Sequence, residues 1–371
     1  MILWNIPSLN NAAVDTIAGP LDGLTRITTV TATPLDSDRT VARWLLACCA
    51  LVFAMVVLGG VTRLTGSGLS MVDWRPVTGI LPPLSDEAWQ STFEMYQQTP
   101  EFQKVNSSMD VNDFKGIFWL EYLHRLLGRT IGVVFLLPFL FFTWRGYIRR
   151  NEWPKYTAMF VLGGLQGVLG WYMVKSGLVD NPAVSQYRLT AHLMAAFLIY
   201  ACMFWVAMSL LYPTPTGTER HPWYGKTLAL TTLITITIIS GGFVAGLKAG
   251  KIYNTFPMMG DYWIPPGIMA FEPWWRNFFD NLATVQFDHR VLAIITFLLT
   301  TLYWARLPRS NLPARAVKGV IALLHTAALQ VILGIATLLL VVPISLAAMH
   351  QAVAMVLFTI AIFLCHALKR G

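Results

Sequence analysis

Apolar runs of about 20 residues, long enough to cross a membrane as a helix, recur in this 371-residue chain from Arg43 to Leu368. Within lipid, every backbone N–H and C=O must be hydrogen-bonded inside the protein, which favours helices. Only 12% of the residues are charged, about half the share found in soluble proteins. The pattern predicts an all-α membrane protein with eight transmembrane helices, at about 44–62, 117–142, 157–174, 189–211, 227–247, 286–304, 320–341 and 345–367.

The net charge of +8 does not indicate nucleic-acid binding. The Lys and Arg residues lie between the apolar runs, where they orient membrane helices. All four cysteines lie inside apolar runs, so we interpret them as small packing residues rather than as disulfide partners; they are Cys48, Cys49, Cys202 and Cys365.

The basic residues also predict the orientation. Fifteen Lys and Arg lie in the tail, the C-terminus and alternate loops, against nine in the opposite loops, which places both termini in the cytoplasm. Residues 1–40 resemble neither a signal peptide nor a transit peptide, which predicts a cytoplasmic tail and a bacterial inner membrane. Loops 63–116 and 248–285 then face the periplasm, and their tryptophans suit short interfacial helices: Trp74, Trp89, Trp263, Trp274 and Trp275.

An internal repeat relates the first four spans to the last four. Four pairs of segments match in the same order: 58–61 with 240–243, 121–125 with 286–290, 165–170 with 329–334, and 189–192 with 347–350. Because each unit has an even number of spans, both have the same orientation. The fold prediction is therefore two parallel-repeat four-helix bundles, an N-terminal half (41–211) and a C-terminal half (227–368), joined by a cytoplasmic linker (212–226).

Four histidines occupy repeat-matched positions near the periplasmic ends of their spans, and each has a Gly or Ala four residues further on; they are His124, His192, His289 and His350. Polar groups at such depth are usually functional. Two imidazoles in each half suit axial ligation of a haem iron, whereas zinc would need a fuller ligand set. His221, His325 and His366 lack this pattern, so we expect them to serve in packing or local hydrogen bonds.

Other polar side chains accompany the histidines. Arg125, Arg129 and Arg290 are placed either to bind haem propionates or to extend to the membrane interface. Gln166 and Gln330 are expected to hydrogen-bond between helices or to touch the ligand.

The repeat fails three residues before the histidine, where the N-terminal half has Glu121 and the C-terminal half has Gln286. A carboxylate can transfer protons and an amide cannot, so we expect the chemistry in the N-terminal half and a permanent haem in the C-terminal half. The alternative is that Glu121 only forms a salt bridge with Arg125 or Arg129.

Together these motifs resemble the haem A synthase family, in the branch found in mitochondria and alphaproteobacteria. The resemblance covers about 41–368 and rests on GGVTRLTGSGLS at 59–70, EYLHR at 121–125, LTAHL at 189–193, FDHR at 287–290 and MHQ at 349–351. Some bacterial members have a cysteine pair in the first periplasmic loop; residues 63–116 contain no cysteine, so a mechanism based on that pair does not carry over.

The resemblance implies an enzyme that oxidises the C8 methyl group of haem O to the formyl group of haem A for cytochrome c oxidase. It implies a haem b cofactor on His289 and His350, and a haem O site on His124 and His192 with Glu121 as the functional acid. The expected partners are haem O, haem O synthase, oxidase assembly factors and membrane lipid, and homo-oligomer formation is left open. The alternatives are a di-haem cytochrome b that passes electrons from a quinol and, with less support, a parallel-repeat transporter.

Overall fold

The structure is a computed structural model that describes residues 35–72, 81–177, 182–213, 219–308 and 312–369. These residues belong to one compact unit. The predicted tail before residue 35 and Trp74 lie outside the described residues.

Within the described ranges, eight helices are long and apolar enough to cross a membrane, which confirms the predicted number. In chain order the helices are α1 (Asp36–Leu64), α2 (Asp86–Gln97), α3 (Pro100–Lys104), α4 (Val111–Trp144), α5 (Trp153–Gly177), α6 (Gln186–Leu211), α7 (Tyr224–Leu247), α8 (Asn277–Asp280), α9 (Leu282–Arg306), α10 (Ala314–Leu339) and α11 (Ile344–Leu368). Helices α2, α3 and α8 are the short ones, and they lie in the two long loops.

Local sequence signals fix several helix ends. Asp110 and Asp113 form a capping box at the start of α4, and the Asn281 side chain accepts hydrogen bonds from two backbone N–H groups at the start of α9. Pro343 precedes α11 and closes the tight turn after α10 that the sequence predicts. Val341 and Val342 adopt positive φ angles of 60° and 62° in that turn, an unfavourable conformation for a β-branched residue.

The first and fourth long helices of each half form the centre of the bundle. Helix α1 packs against α6 and α11, and α7 packs against the same two helices. Helices α4, α5, α9 and α10 lie further out and leave more of their apolar surface uncovered by protein. The histidines on α6 and α11 therefore lie on central helices, and those on α4 and α9 lie on outer ones.

The first long loop packs on the bundle through an aromatic cluster. Trp89 of α2 is buried against Phe114 and Phe118 of α4, with ring centroids 6.5 and 5.0 Å apart. The Trp89 side chain therefore packs on protein, because α2, one of the short loop helices that the sequence predicts, folds back on α4. In the second loop, Trp263 and Trp275 are exposed, as membrane-interface residues would be.

Helices α6 and α7 approach closely where α7 carries Gly246. A Cβ atom at Gly246 would lie 2.5 Å from the Cβ and 2.6 Å from the Cα of Gln186. The neighbour is largely backbone, which cannot move aside as a flexible side chain can. Small residues at membrane-helix crossings serve this purpose, since they allow two backbones to pack directly.

We predict that Gly246→Ala destabilises the protein by about 1–3 kcal/mol, because the added methyl group forces α6 and α7 apart. The control is Gly225→Ala in the same helix, where an added Cβ meets no atom within 4 Å. Thermal unfolding in detergent measures both. Equal unfolding midpoints for the two variants would contradict the close crossing.

Candidate functional site

In the N-terminal half, each histidine ring lies against a glycine of a neighbouring helix. A Cβ atom on Gly59 of α1 would lie 3.0 Å from Nε2 of His124 on α4. A Cβ atom on Gly170 of α5 would lie 2.9 Å from Cε1 of His192 on α6. A side chain at either glycine would therefore displace the imidazole ring.

The C-terminal half repeats this arrangement. A Cβ atom on Gly241 of α7 would lie 3.1 Å from Cε1 of His289, and one on Gly334 of α10 would lie 2.9 Å from Cε1 of His350. All four glycines belong to the segments that match in the sequence repeat. The repeat therefore preserves pairs in which an imidazole packs directly on a helix backbone.

The four pairs lie in one layer. Each glycine lies within the last two turns of its helix, and three of the four histidines lie within the first two turns of theirs. His124 lies deeper along α4, because α4 begins above the bundle at Val111. The depth predicted for the histidines, near one end of the bundle, agrees with these positions.

His289 has a hydrogen-bonding partner on the neighbouring helix α7. Ser240 Oγ lies 2.8 Å from the Thr237 carbonyl and 2.9 Å from Nδ1 of His289. A serine hydroxyl that donates to the carbonyl accepts from Nδ1–H, and Nε2 then carries the lone pair that a metal ligand requires.

The two C-terminal histidines are spaced for a shared metal. Their ring centroids lie 6.5 Å apart, with the planes at 90°. Imidazoles on opposite sides of one metal ion have centroids about 6 Å apart, given a metal–nitrogen distance of about 2 Å. Nδ1 of His350 is buried with no hydrogen-bond partner among the described residues, and Gln330 Nε2 lies 3.4 Å from its Nε2.

In the N-terminal half, His124 and His192 each pack on a glycine of a neighbouring helix. Gln166 donates to the backbone carbonyl of His192 at 2.8 Å, which ties α5 to α6 as expected for an interhelical hydrogen bond. Nδ1 of His192 is buried and unpartnered within the described ranges. The donor set in both halves is therefore a pair of imidazoles, which fits a haem iron because the porphyrin supplies the remaining ligands.

Glu121 is buried and hydrogen-bonded on several sides. Its carboxylate accepts from Nε of Arg125 at 3.0 Å, from Ser70 Oγ at 2.7 Å and from the Met71 backbone N–H at 2.8 Å. Arg125 also donates to the Met71 carbonyl at 3.0 Å. The salt bridge considered as an alternative is therefore present, and the pair holds the segment after α1 against α4.

The matching residues of the C-terminal half hold the segment after α7. Gln286 donates to the Tyr253 carbonyl at 3.0 Å, and Arg290 donates to the carbonyls of Tyr253, Thr255 and Met258 at 2.8–3.2 Å. Nε of Arg290 remains buried without a partner in the described part of the chain. Arg290 thus donates to loop backbone, whereas Arg125 donates both to the Glu121 carboxylate and to one loop carbonyl.

Sequence reasoning missed Arg63. It lies four residues after Gly59, on the same face of α1 and one turn closer to the helix end. Its Nη2 is buried with no hydrogen-bond partner among the described residues. The spacing from Gly59 was the available signal. Arg129 lies one turn beyond Arg125 on α4, further from the start of the helix.

The remaining histidines have local roles. His325 Nδ1 lies 2.8 Å from the Ile321 carbonyl of its own helix, and His366 is buried beside Ser209 Oγ at 3.1 Å. His221 Nδ1 accepts from the backbone N–H of Trp223. These contacts agree with the packing and hydrogen-bonding roles expected from the sequence.

The fold and the site define a multi-pass α-helical membrane protein with paired imidazoles between its helices. Residues 42–362 match the family described as cytochrome oxidase assembly protein. The chain belongs to this family, which confirms the resemblance drawn from the motifs.

Several named proteins are similar to this chain over most of its length. Heme A synthase of Nitrosospira multiformis is 53% identical over 336 residues, which span 90% of this chain and 94% of the relative. Heme A synthase of Nitrosomonas eutropha is 50% identical, over 89% of this chain and 94% of the relative. Heme A synthase COX15 of Homo sapiens is 45% identical, over 90% of this chain and 84% of the relative.

A second buried carboxylate lies in the loop above the site. Glu101 of α3 accepts a long hydrogen bond of 3.4 Å from the Tyr96 hydroxyl, which itself accepts from Asn106 at 2.7 Å. Burial raises the pKa of Glu101 to about 7, repulsion from Glu121 adds to the shift, and the Tyr96 hydrogen bond and Lys248 oppose it. Glu101 therefore changes charge near neutral pH.

We predict that Glu101 makes the folded protein less stable as pH rises from about 4.5 to about 7. The carboxyl ionises first in the unfolded chain, so unfolding is favoured across that window, by on the order of 1–3 kcal/mol. Glu101→Gln removes this contribution. Thermal unfolding in detergent near pH 4.5 and above pH 7.5 should show a larger loss for the wild type than for the variant; parallel pH profiles would contradict the assignment.

Proposed function

We propose that this chain is a haem A synthase, which oxidises the C8 methyl group of haem O to the formyl group of haem A for cytochrome c oxidase. The proposal is supported by membership in the cytochrome oxidase assembly family and by 53% identity to a relative named Heme A synthase. The proposal is also supported by two histidines in each half, the kind of ligand that a haem iron takes from a protein.

In this proposal, His289 and His350 hold a resident haem b. The observation that carries this assignment is the contact of Ser240 Oγ with Nδ1 of His289, which suits binding of a metal through the other ring nitrogen, Nε2. The matching residue in the N-terminal half is Leu58, which cannot support His124 in the same way. A pre-set ligand suits a permanent cofactor. When bound, the haem b supplies a group that accepts electrons and passes them on.

The N-terminal half then receives haem O as substrate between His124 and His192. Arg63 and Arg125 place positive charge toward the outer end of that site, where the substrate propionates would bind, and Arg129 adds a positive charge one turn deeper on α4. Of these, Arg63 has the clearest spare donor, its buried Nη2. In the C-terminal half, the buried Nε of Arg290 serves a haem b propionate.

Glu121 is the proposed functional acid. When water supplies the oxygen atom, oxidation of a methyl group to a formyl group releases four protons and passes four electrons to an external acceptor, so a proton acceptor is needed beside the substrate. The Glu121 carboxylate is held by Ser70, Met71 and Arg125, and it lies one turn from His124 along α4. Its counterpart Gln286 cannot accept a proton, which supports the proposal that the chemistry occurs in the N-terminal half.

We further propose the membrane setting that the basic residues indicate. Both termini lie in the cytoplasm of a bacterium, and the histidine layer lies near the periplasmic face of the inner membrane. Haem O must come from the enzyme that makes it, and haem A must pass to the assembling oxidase. Haem O synthase and oxidase assembly factors are therefore the proposed partners.

We predict that His289→Ala or His350→Ala abolishes the stably bound low-spin haem b, because one imidazole does not hold both axial positions. His124→Ala and His192→Ala should keep the haem b spectrum and lose haem A. The visible spectrum of each purified variant and the haem content of its membranes measure this. If His124→Ala and His192→Ala lost the haem b while His289→Ala and His350→Ala kept it, the resident haem would belong to the N-terminal half instead.

The Glu121→Gln variant tests whether the Glu121 carboxylate accepts protons during the reaction. We predict that it keeps haem b near normal while haem A per molecule falls at least tenfold and haem O or a partly oxidised product accumulates. Gln286→Ala is the matched control, because it removes the equivalent loop contact in the other half. The measurement is the haem A and haem O content of membranes, normalised to haem b, and it distinguishes a catalytic role of Glu121 from a role in holding the loop. Similar haem A yields for the two variants would make Glu121 a loop anchor alone.

A further inference from the structure

The glycine pair of α1 faces two different sites. Gly59 lies under His124 of the N-terminal half, whereas a Cβ atom on Gly60 would overlap the side-chain amide of Gln351 on α11. Successive helix residues point in directions about 100° apart, so adjacent glycines can serve different neighbours. Gln351 directly follows His350 in the chain. Helix α1 therefore touches both the substrate half and the helix that carries a C-terminal histidine.

Gln351 also makes a hydrogen bond across this contact. Its Nε2 donates to the backbone carbonyl of Val56 on α1 at 2.6 Å. Val56 lies one turn before Gly60, so the amide spans the groove that the absent side chain leaves open. An amide in apolar surroundings is held firmly by such a bond, because the alternative is an unsatisfied donor in the bundle.

Gly242, the repeat counterpart of Gly60, makes a different kind of contact. Gly242 of α7 lies against Thr190 of α6, where an added Cβ would be 2.9 Å from the hydroxyl oxygen. That hydroxyl is buried and has no hydrogen-bond partner among the described residues. The residue after His192 is Leu193, which has no hydrogen-bonding side chain. The amide link is thus a feature of α11 and His350 rather than of the repeat.

We propose that Gln351 is a positioning residue that couples the two histidine sites, by fixing α11 and the adjacent His350 to the α1 wall of the substrate site. This inference rests on the proposed haem b at His289 and His350. Its consequence is specific: a change in α1, in the N-terminal half, should alter the ligand geometry of the haem in the C-terminal half.

The experiment compares adjacent glycines in purified, haem-loaded protein. Gly60→Ala and Gln351→Leu are each expected to retain haem b and to shift its low-spin electron paramagnetic resonance g values in the same direction. Gly59→Ala should leave that signal unchanged, because its methyl group meets His124 instead. Gly163→Ala, where nothing lies within 4 Å, controls for a simple Gly to Ala effect.

A double variant tests whether the two changes act through one contact. Gly60→Ala with Gln351→Ala removes the overlap, so its shift should not exceed that of Gln351→Ala alone. If the Gly60→Ala protein does not accumulate, Gln351→Asn replaces it in the comparison. Asparagine keeps the amide group but is one methylene too short to reach the Val56 carbonyl. We expect Gln351→Asn to shift the haem b g values in the same direction as Gln351→Leu.

Unchanged g values in Gln351→Leu and Gln351→Asn, with haem b fully retained, would overturn the inference. Failure of the proposed function looks different. In that case, the wild type would contain no low-spin haem b, or His350→Ala would retain it. A shift in Gly59→Ala as large as that in Gly60→Ala would also overturn the inference, because the effect would then not pass through Gln351.

Discussion

The packing of imidazole rings directly on helix backbone is the contact on which this molecule depends. A ring can lie between two membrane helices only where one of them lacks a side chain, and four glycines provide that space, at Gly59, Gly170, Gly241 and Gly334. Each contact fixes a helix pair and places an imidazole ring at the same level. The helix packing and the site are therefore one feature, and a methyl group at any of these glycines would disturb both.

The two halves share this frame but differ in what surrounds the rings. Ser240 contacts Nδ1 of His289, and Gln351 hydrogen-bonds the helix of His350 to α1. In the N-terminal half, Glu121 and Arg63 bring a carboxylate and a buried guanidinium group close to the site. One pair of imidazoles is thus accompanied by neutral hydrogen-bonding groups and the other by ionisable groups. This difference suits the proposal of a permanent cofactor in one half and a reacting substrate in the other.

Much of this arrangement could be predicted from the sequence, because hydrophobic length and repeat spacing report on helices and on the level of residues within them. The eight spans and the common level of the histidines follow from such patterns. Contacts between distant segments could not be predicted in this way. Nothing local indicates that Gln351 reaches Val56, that Glu121 accepts from Ser70, or that Trp89 folds back onto α4. These three contacts depend on which helices and loops pack against each other. The sequence repeat shows which helices of the two halves are equivalent, but not which helices are neighbours in the bundle.

Extraction of the pigments from the purified wild-type protein, followed by chromatographic identification, tests the central claim most directly. We expect haem b together with haem O or haem A, as proposed for a cofactor on the C-terminal histidines and a substrate or product on the N-terminal ones. Two equivalents of haem b would instead indicate a cytochrome that passes electrons. Protein that carries no haem at all would contradict both sites.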